Sequence, residues 1–350
     1  LRYYEKDENF AGREGDARKF LVKLHKAAVL ILHGRSGCGK SSFLRAGVRP
    51  FLESEATGYR FNRQFDVIRS SARPLTKFIE HFFRLVELVA AGKSEYGEPR
   101  GDKLQGDAFI ALFSEWRDMH TAGRLVSDPA AVLAAMSKLA RSMRVAPIFV
   151  IDQAEEVFTL EDDPQADDAD VLSREREENF YFTLLNLAAS TRTGCKIVVS
   201  LRTEYKGRFD DELANAGRAT SHVPGFFLED LDEDGIIAAI ERPTQNEAWA
   251  FPFSYHEDVP AELARKLLEK GKTLPGGVLP TLQVTCRRLW RMSREAANRV
   301  GTPVRIERRH LRQIGDIAIQ IDLMLACDTP DMTDQGDMSL GGGPGMSLYS

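Results

Sequence analysis

Gly34-Arg-Ser-Gly-Cys-Gly-Lys-Ser-Ser42 decides how this chain folds, because of what stands on either side of it. Before it runs Ala27-Ala-Val-Leu-Ile-Leu-His33, a continuous apolar stretch of the kind a buried parallel strand requires. After it the chain turns helical. The stretch itself fits G-x-x-x-x-G-K-[ST] at every position. Gly34, Gly37 and Gly39 permit backbone with φ > 0, so the loop from Gly34 through Ser36 and Cys38 to Ser42 can curl its N–H groups around phosphate oxygens. The helix beginning near Lys40 adds its dipole. Lys40 supplies a compact charge for the β- and γ-phosphates, and the Ser41 hydroxyl supplies a ligand to Mg²⁺. The ligand expected here is ATP or ADP with Mg²⁺.

Such a loop needs a second carboxylate on a neighbouring strand to complete the Mg²⁺ shell through water. Pro147-Ile-Phe-Val-Ile-Asp152 provides it, an apolar strand ending in Asp152 where phosphates gather at the carboxyl edge of a sheet. The metal ligands are therefore expected to be Ser41 and Asp152. Asp152 also suits a helix N-cap. Glu155 and Glu156 follow at once, and either could orient or deprotonate an attacking water; both also suit the first turn of a helix. Lys196-Ile-Val-Val-Ser-Leu201 is a further strand, ending at Arg202. An arginine there is placed to touch a γ-phosphate, since its bidentate charge matches phosphate better than lysine does. Asp152, Glu155, Glu156 and Arg202 are the candidate catalytic residues.

Working outward, Phe20, Leu21 and Leu24 share a helical face, and Phe65–Arg69 suits a strand. Leu75, Phe78, Ile79, Phe82, Val86 and Val89 repeat at helical spacing, as do Val132, Met136, Leu139 and Met143. Residues 91–107 read as a surface insertion. Glu161–Asp170, with six acidic residues in ten, reads as a solvated loop, and Phe180, Leu184 and Leu187 as a helix. Strands alternating with helices specify an α/β fold: a P-loop NTPase whose parallel sheet is flanked by helices. Beyond Asp230 helices are expected at Ile236–Ile240, Ala261–Lys270, Pro280–Arg299 and Arg308–Cys327, with Pro303–Ile306 as a wing strand. The domains expected are a nucleotide-binding domain over 1–230, a helical subdomain over 231–275, a winged-helix-like subdomain over 276–327 and a flexible tail over 328–350.

Composition narrows the class. The 350 residues are 43% hydrophobic and 28% charged, ordinary for a soluble globular protein of two or three units. The net charge of −5 gives no whole-chain reason for nucleic-acid or membrane binding. Cys38, Cys195, Cys286 and Cys327 are scattered without metal-ligand spacing, which suits free thiols in a reducing, cytoplasmic setting. No apolar run approaches the ~20 residues of a membrane span. A start at Leu1 and a Gly-rich end suggest a piece of a longer protein.

Taken together, these segments resemble the STAND NTPases, the signal-transduction ATPases with numerous domains, and within them the bacterial novel STAND NTPase 1 group. The resemblance rests on Phe10-Ala-Gly-Arg-Glu14, the loop Gly34–Gly47, Phe149-Val-Ile-Asp-Gln-Ala-Glu-Glu-Val-Phe158, Val199-Ser-Leu-Arg-Thr-Glu-Tyr205, and Leu279-Pro-Thr-Leu-Gln283 followed by Arg288-Leu-Trp290. It implies that Gly12 and Arg13 border the nucleotide and that Pro280 packs near the adenine. Ala154 departs from the bulky residue usual there. For the histidine that touches phosphate in related switches, His310 is the candidate.

The resemblance also implies a signalling switch with slow, regulatory ATP hydrolysis. Nucleotide would hold a closed form; opening would permit exchange, homo-oligomerisation and activation of an effector that is attached or a partner, and many bacterial relatives act in immunity against phage. A different reading is an initiator-like ATP-dependent DNA-binding protein. It would use the basic run from Arg287 to Arg312, though Arg287, Arg291 and Arg294 share a face with Glu295 nearby. A third is a P-loop protein that binds without turnover, against which stand the intact Lys40, Ser41 and Asp152.

Overall fold

A computed structural model describes residues 10–53, 59–61, 68–69, 73–93, 98–101, 105–159, 168–217, 223–245, 253–270, 277–296 and 304–314. The chain divides into two compact units. One comprises 16–34 and 48–228; the other comprises 1–15, 35–47 and 229–350.

The first unit is built on a parallel sheet. Its strands are β1 (Val29–Gly34), β2 (Tyr59–Phe61), β3 (Ile68–Arg69), β4 (Ala146–Asp152), β5 (Lys196–Arg202) and β6 (Gly225–Phe227). They run in the order β2-β4-β5-β1-β6, with β3 also paired to β4, and every pairing is parallel. Branched aliphatic runs suit the pleated surfaces of β1, β4 and β5. Val29, Ile31, Phe149, Ile151, Ile197, Val199 and Leu201 face one core. Their alternates Leu30, Leu32, Ile148, Val150 and Val198 are buried too, so the sheet is covered on both faces.

The helix Pro74–Ala90 carries Phe78 and Phe82 onto Phe149 of β4, with ring centroids 5.1 and 6.4 Å away. Pro129–Ser142 is capped by Asp128, whose carboxylate accepts from the Ala131 N–H at 2.9 Å. The helix Glu14–Lys26 lies by β6, where Phe20 meets Phe226 edge-on at 5.3 Å. Asp168–Ser190 is one long helix, so the C-terminal end of the acidic stretch is helical where a loop was expected; residues 160–167 lie outside the described ones.

The second unit has its own core. Leu231, Ile236 and Ile240 of the helix Glu233–Glu241 that follows it, Leu263 and Leu267 of Val259–Lys270, and Leu282 and Leu289 of Val278–Ala296 pack with Leu311 and Ile314. Two short strands close it. β7 (Phe253–Tyr255) pairs in parallel with β8 (Val304–Ile306), the strand expected as a wing. One apolar core thus runs through both stretches that the sequence separates at 275/276. The last helix spans Arg308–Ile314, and residues 315–327 lie outside the described ones.

Candidate functional site

Gly34 closes β1, and the phosphate loop leaves it with two left-handed turns, Gly37 at φ 76° and Gly39 at φ 89°. Only glycine adopts that region without strain, so the motif's glycines meet a backbone demand. Cys38 donates its N–H to the Arg35 carbonyl at 3.3 Å, which tightens the loop. Lys40 begins the helix, and its Nζ donates to the Arg35 carbonyl at 3.1 Å. Over Phe43–Val48 that helix widens into π geometry before continuing as Arg49–Glu53. Burial raises the Cys38 thiol above its ordinary pKa although Lys40 and Arg13 oppose this, so it stays protonated.

Within the same unit the loop touches the late segment that carries Pro280. A Cβ on Gly39 would lie 2.8 Å from Leu279 Cδ1, and one on Gly277 would lie 3.3 Å from the Ser36 carbonyl. Pro280 stands beside Leu279 in the first turn of Val278–Ala296, where its missing N–H is harmless.

Gly12 and Arg13 are positioned by packing. Gly12 has φ 83°, and a Cβ there would come within 2.5 Å of the Gly235 carbonyl oxygen, which requires glycine. Arg13 is 3% exposed, and its guanidinium donates to the carbonyls of Cys38 and Glu229, both at 2.8 Å. Neither partner carbonyl could have been named from the sequence.

On the sheet, Asp152 ends β4 and is buried. Gln153 then adopts φ 54°, the only positive φ outside glycine among the described residues. That turn lets Ala154 donate its N–H to the Ser200 carbonyl of β5 at 2.9 Å and brings Glu155 against Arg202. Glu155, 6% exposed, forms an ion pair with the Arg202 Nε at 3.1 Å and accepts the Arg202 backbone N–H at 3.2 Å. Glu156 instead opens the short helix Glu156–Thr159. The two glutamates, equivalent in sequence, thus occupy different environments. Arg202 is level with Gly34 across the β5–β1 pair, so the arginine stands where the loop begins.

His310 is buried and its Nδ1 lies 2.8 Å from the Ser293 hydroxyl and accepts the Glu307 N–H at 3.1 Å. Burial, aided by Arg309 and opposed by Glu307, lowers its pKa. Through Nδ1 the ring caps the start of the helix Arg308–Ile314. Cys38, Cys195 and Cys286 are buried and in no disulfide. Among the described residues, no helix is long and apolar enough to cross a membrane.

A parallel sheet whose first strand empties into a left-handed glycine loop, with a buried aspartate closing the next strand but one, defines the chain as a P-loop NTPase fold. A glycine loop followed by a lysine and a hydroxyl at a helix start is the donor set that binds the phosphates of a nucleotide. The family model for Novel STAND NTPase 1 matches residues 1–322, and the chain belongs to that family. Two solved structures are similar at low identity. A Walker-type ATPase of Pyrococcus abyssi is 15% identical with a TM-score of 0.43, over 94% of this chain and 79% of that one. A chain of the HORMA:CdnC:Trip13 complex of E. coli MS115-1 is 12% identical with a TM-score of 0.45, over 87% and 88%. A comparison with curated proteins gave no match.

Proposed function

We propose that this NTPase is an ATP/ADP-binding signalling switch. One observation carries the reading: the phosphate loop packs on Gly277 and Leu279, where the late helix Val278–Ala296 begins. Loading the loop therefore bears directly on the helical C-terminal segment, as a switch requires. A nucleotide shifts such an equilibrium only by its differential affinity for the two states. In this reading Lys40 neutralises the β/γ-phosphates, Ser41 and Asp152 hold Mg²⁺, and Arg202 reports the γ-phosphate. Pro280 flanks the adenine. Glu155 is favoured over Glu156 as the group that orients water, because it is the one held beside Arg202. Hydrolysis is slow and resets the switch. The output is homo-oligomerisation and activation of an effector, and the family resemblance extends this to bacterial antiphage defence.

The experiment is a thermal melt with Mg-ATP or Mg-ADP, paired with light scattering. At a hundredfold excess over its dissociation constant the ligand stabilises the native protein by roughly 2.7 kcal/mol. The shift is lost in Lys40→Ala, and ATP, not ADP, enlarges the particle. An equal shift in Lys40→Ala sinks the loop assignment; identical scattering with both nucleotides sinks the switch. The initiator-like reading keeps one observation in its favour, the exposed Arg287, Arg291, Arg309 and Arg312. Arg308, however, is already paired with Asp258 at 2.6 Å. Steeply salt-dependent binding to duplex DNA would establish it.

A further inference from the structure

Arg13 is a buried charge whose placement asks for a reason. Burying a guanidinium without hydrogen-bond partners is expensive, and here two of its arms end on backbone carbonyls at 2.8 Å. One belongs to Cys38, in the middle of the phosphate loop. The other belongs to Glu229, the residue from which the chain enters the C-terminal helices.

The Cys38 contact has a geometric consequence. A trans peptide is planar, with its C=O and N–H pointing in opposite directions. Fixing the Cys38 carbonyl toward Arg13 therefore fixes the Gly39 N–H away from it. Gly39 at φ 89° lacks the side chain that would otherwise restrict rotation of that peptide, so an outside group must hold it. The donor pair also spans two segments far apart in sequence. A shift of Glu229 would be felt at the Gly39 amide through one rigid guanidinium.

We propose that Arg13 is a positioning residue for the phosphate loop, aiming the Gly39 amide at a bound phosphate and tying that aim to Glu229. This rests on the nucleotide reading above and replaces a direct nucleotide contact by Arg13 with an indirect one. A contact to base or ribose and a contact through the loop make different demands. The former needs the nucleoside; the latter needs only phosphates.

The test compares Mg-ATP with inorganic tripolyphosphate on wild type, Arg13→Met and Arg13→Lys, by calorimetric titration below the melting temperature. Loss of a charge-assisted bond that orients a phosphate donor predicts a fall of about tenfold in affinity for both ligands in Arg13→Met. Arg13→Lys, able to reach one carbonyl but not both, falls by less, again equally for both. It decides the matter if Arg13→Met does not fold. ATP binding that weakens while tripolyphosphate binding holds would mean that Arg13 touches the nucleoside. A lowered melting temperature with both affinities unchanged would make it a packing residue only. Either result overturns the inference. Wild-type protein that binds neither ligand overturns the nucleotide reading instead.

Discussion

Glu155 holds Arg202 twice, by an ion pair to the side-chain Nε at 3.1 Å and by a hydrogen bond from the backbone N–H at 3.2 Å, at the end of β5. The arginine side chain is half exposed and the carboxylate buried, so solvent screens the pair and its strength is modest. A γ-phosphate reaching Arg202 must compete with Glu155, and success would release that carboxylate. Arg202→Ala should therefore cost ATP affinity by one to two powers of ten and spare ADP, as for a charge-assisted bond of roughly 1.5–3 kcal/mol. Glu155→Gln should move the other way, raising ATP affinity by about threefold while slowing turnover, because a screened pair contributes up to about 1 kcal/mol. Competition titrations read both. An ATP/ADP ratio unchanged in Arg202→Ala would leave the arginine as an ordinary surface partner of Glu155.

Asp152 is buried at the end of β4 with an acidic oxygen as its chemistry, which suits a hard cation. Asp152→Asn should weaken Mg-ATP binding by about tenfold or more yet leave metal-free binding in EDTA nearly unchanged. Isosteric replacement keeps the packing, so the comparison isolates charge. Equal losses with and without Mg²⁺ would make Asp152 a structural residue.

Gln153 stores backbone strain where the site turns. At φ 54° a non-glycine residue costs on the order of 1–2 kcal/mol. Gln153→Gly should thus be near neutral, relief of strain offsetting the greater entropy of the unfolded chain. Gln153→Val, β-branched and forced into the same region, should destabilise by about 1–2 kcal/mol or more and draw Glu155 off Arg202. Urea midpoints rank the three proteins. Valine proving as stable as glutamine would show that the turn relaxes freely.

Much of this site is legible in the sequence, for physical reasons that differ by residue. The loop Gly34–Ser42 announces itself because its glycines are needed locally, and β4 ends visibly at Asp152 because buried apolar runs stop where polarity begins. What escapes is whatever depends on backbone from elsewhere. Arg13 is addressed to the carbonyls of Cys38 and Glu229, and every residue type offers a carbonyl. The choice between Glu155 and Glu156 turns on the φ of Gln153, which no composition encodes. β6 and β7 escape because three residues are too few for any period to show. The helix Ser114–Thr121 passes unseen because none of its residues is buried, so no apolar face marks it, and Asp107–Ala111 because it buries Phe109 alone.

His310 makes the second unit sensitive to pH. Its neutral ring accepts the Glu307 N–H and meets the Ser293 hydroxyl, and burial holds its pKa below the usual 6.5. In the unfolded chain the ring takes up a proton near pH 6.5, so between that value and the lower folded one the unfolded state binds more protons. Stability then rises with pH in that window: it is fully present above about pH 7 and falls as the solution is acidified toward 5. Glu178, raised by burial and by Glu212, acts in the opposite sense above pH 4.5, so the informative quantity is the difference between wild type and variant. His310→Gln keeps an acceptor for Glu307 but cannot titrate, and should cost about 1 kcal/mol at pH 7.5 for the imperfect replacement. That gap should narrow steadily on acidification, because only wild type gives up stability by this route. Urea midpoints of both proteins at half-unit steps from pH 7.5 to 5 provide the measurement. A gap that stays constant across the series would mean that His310 remains as easily protonated in the folded unit as in the unfolded chain.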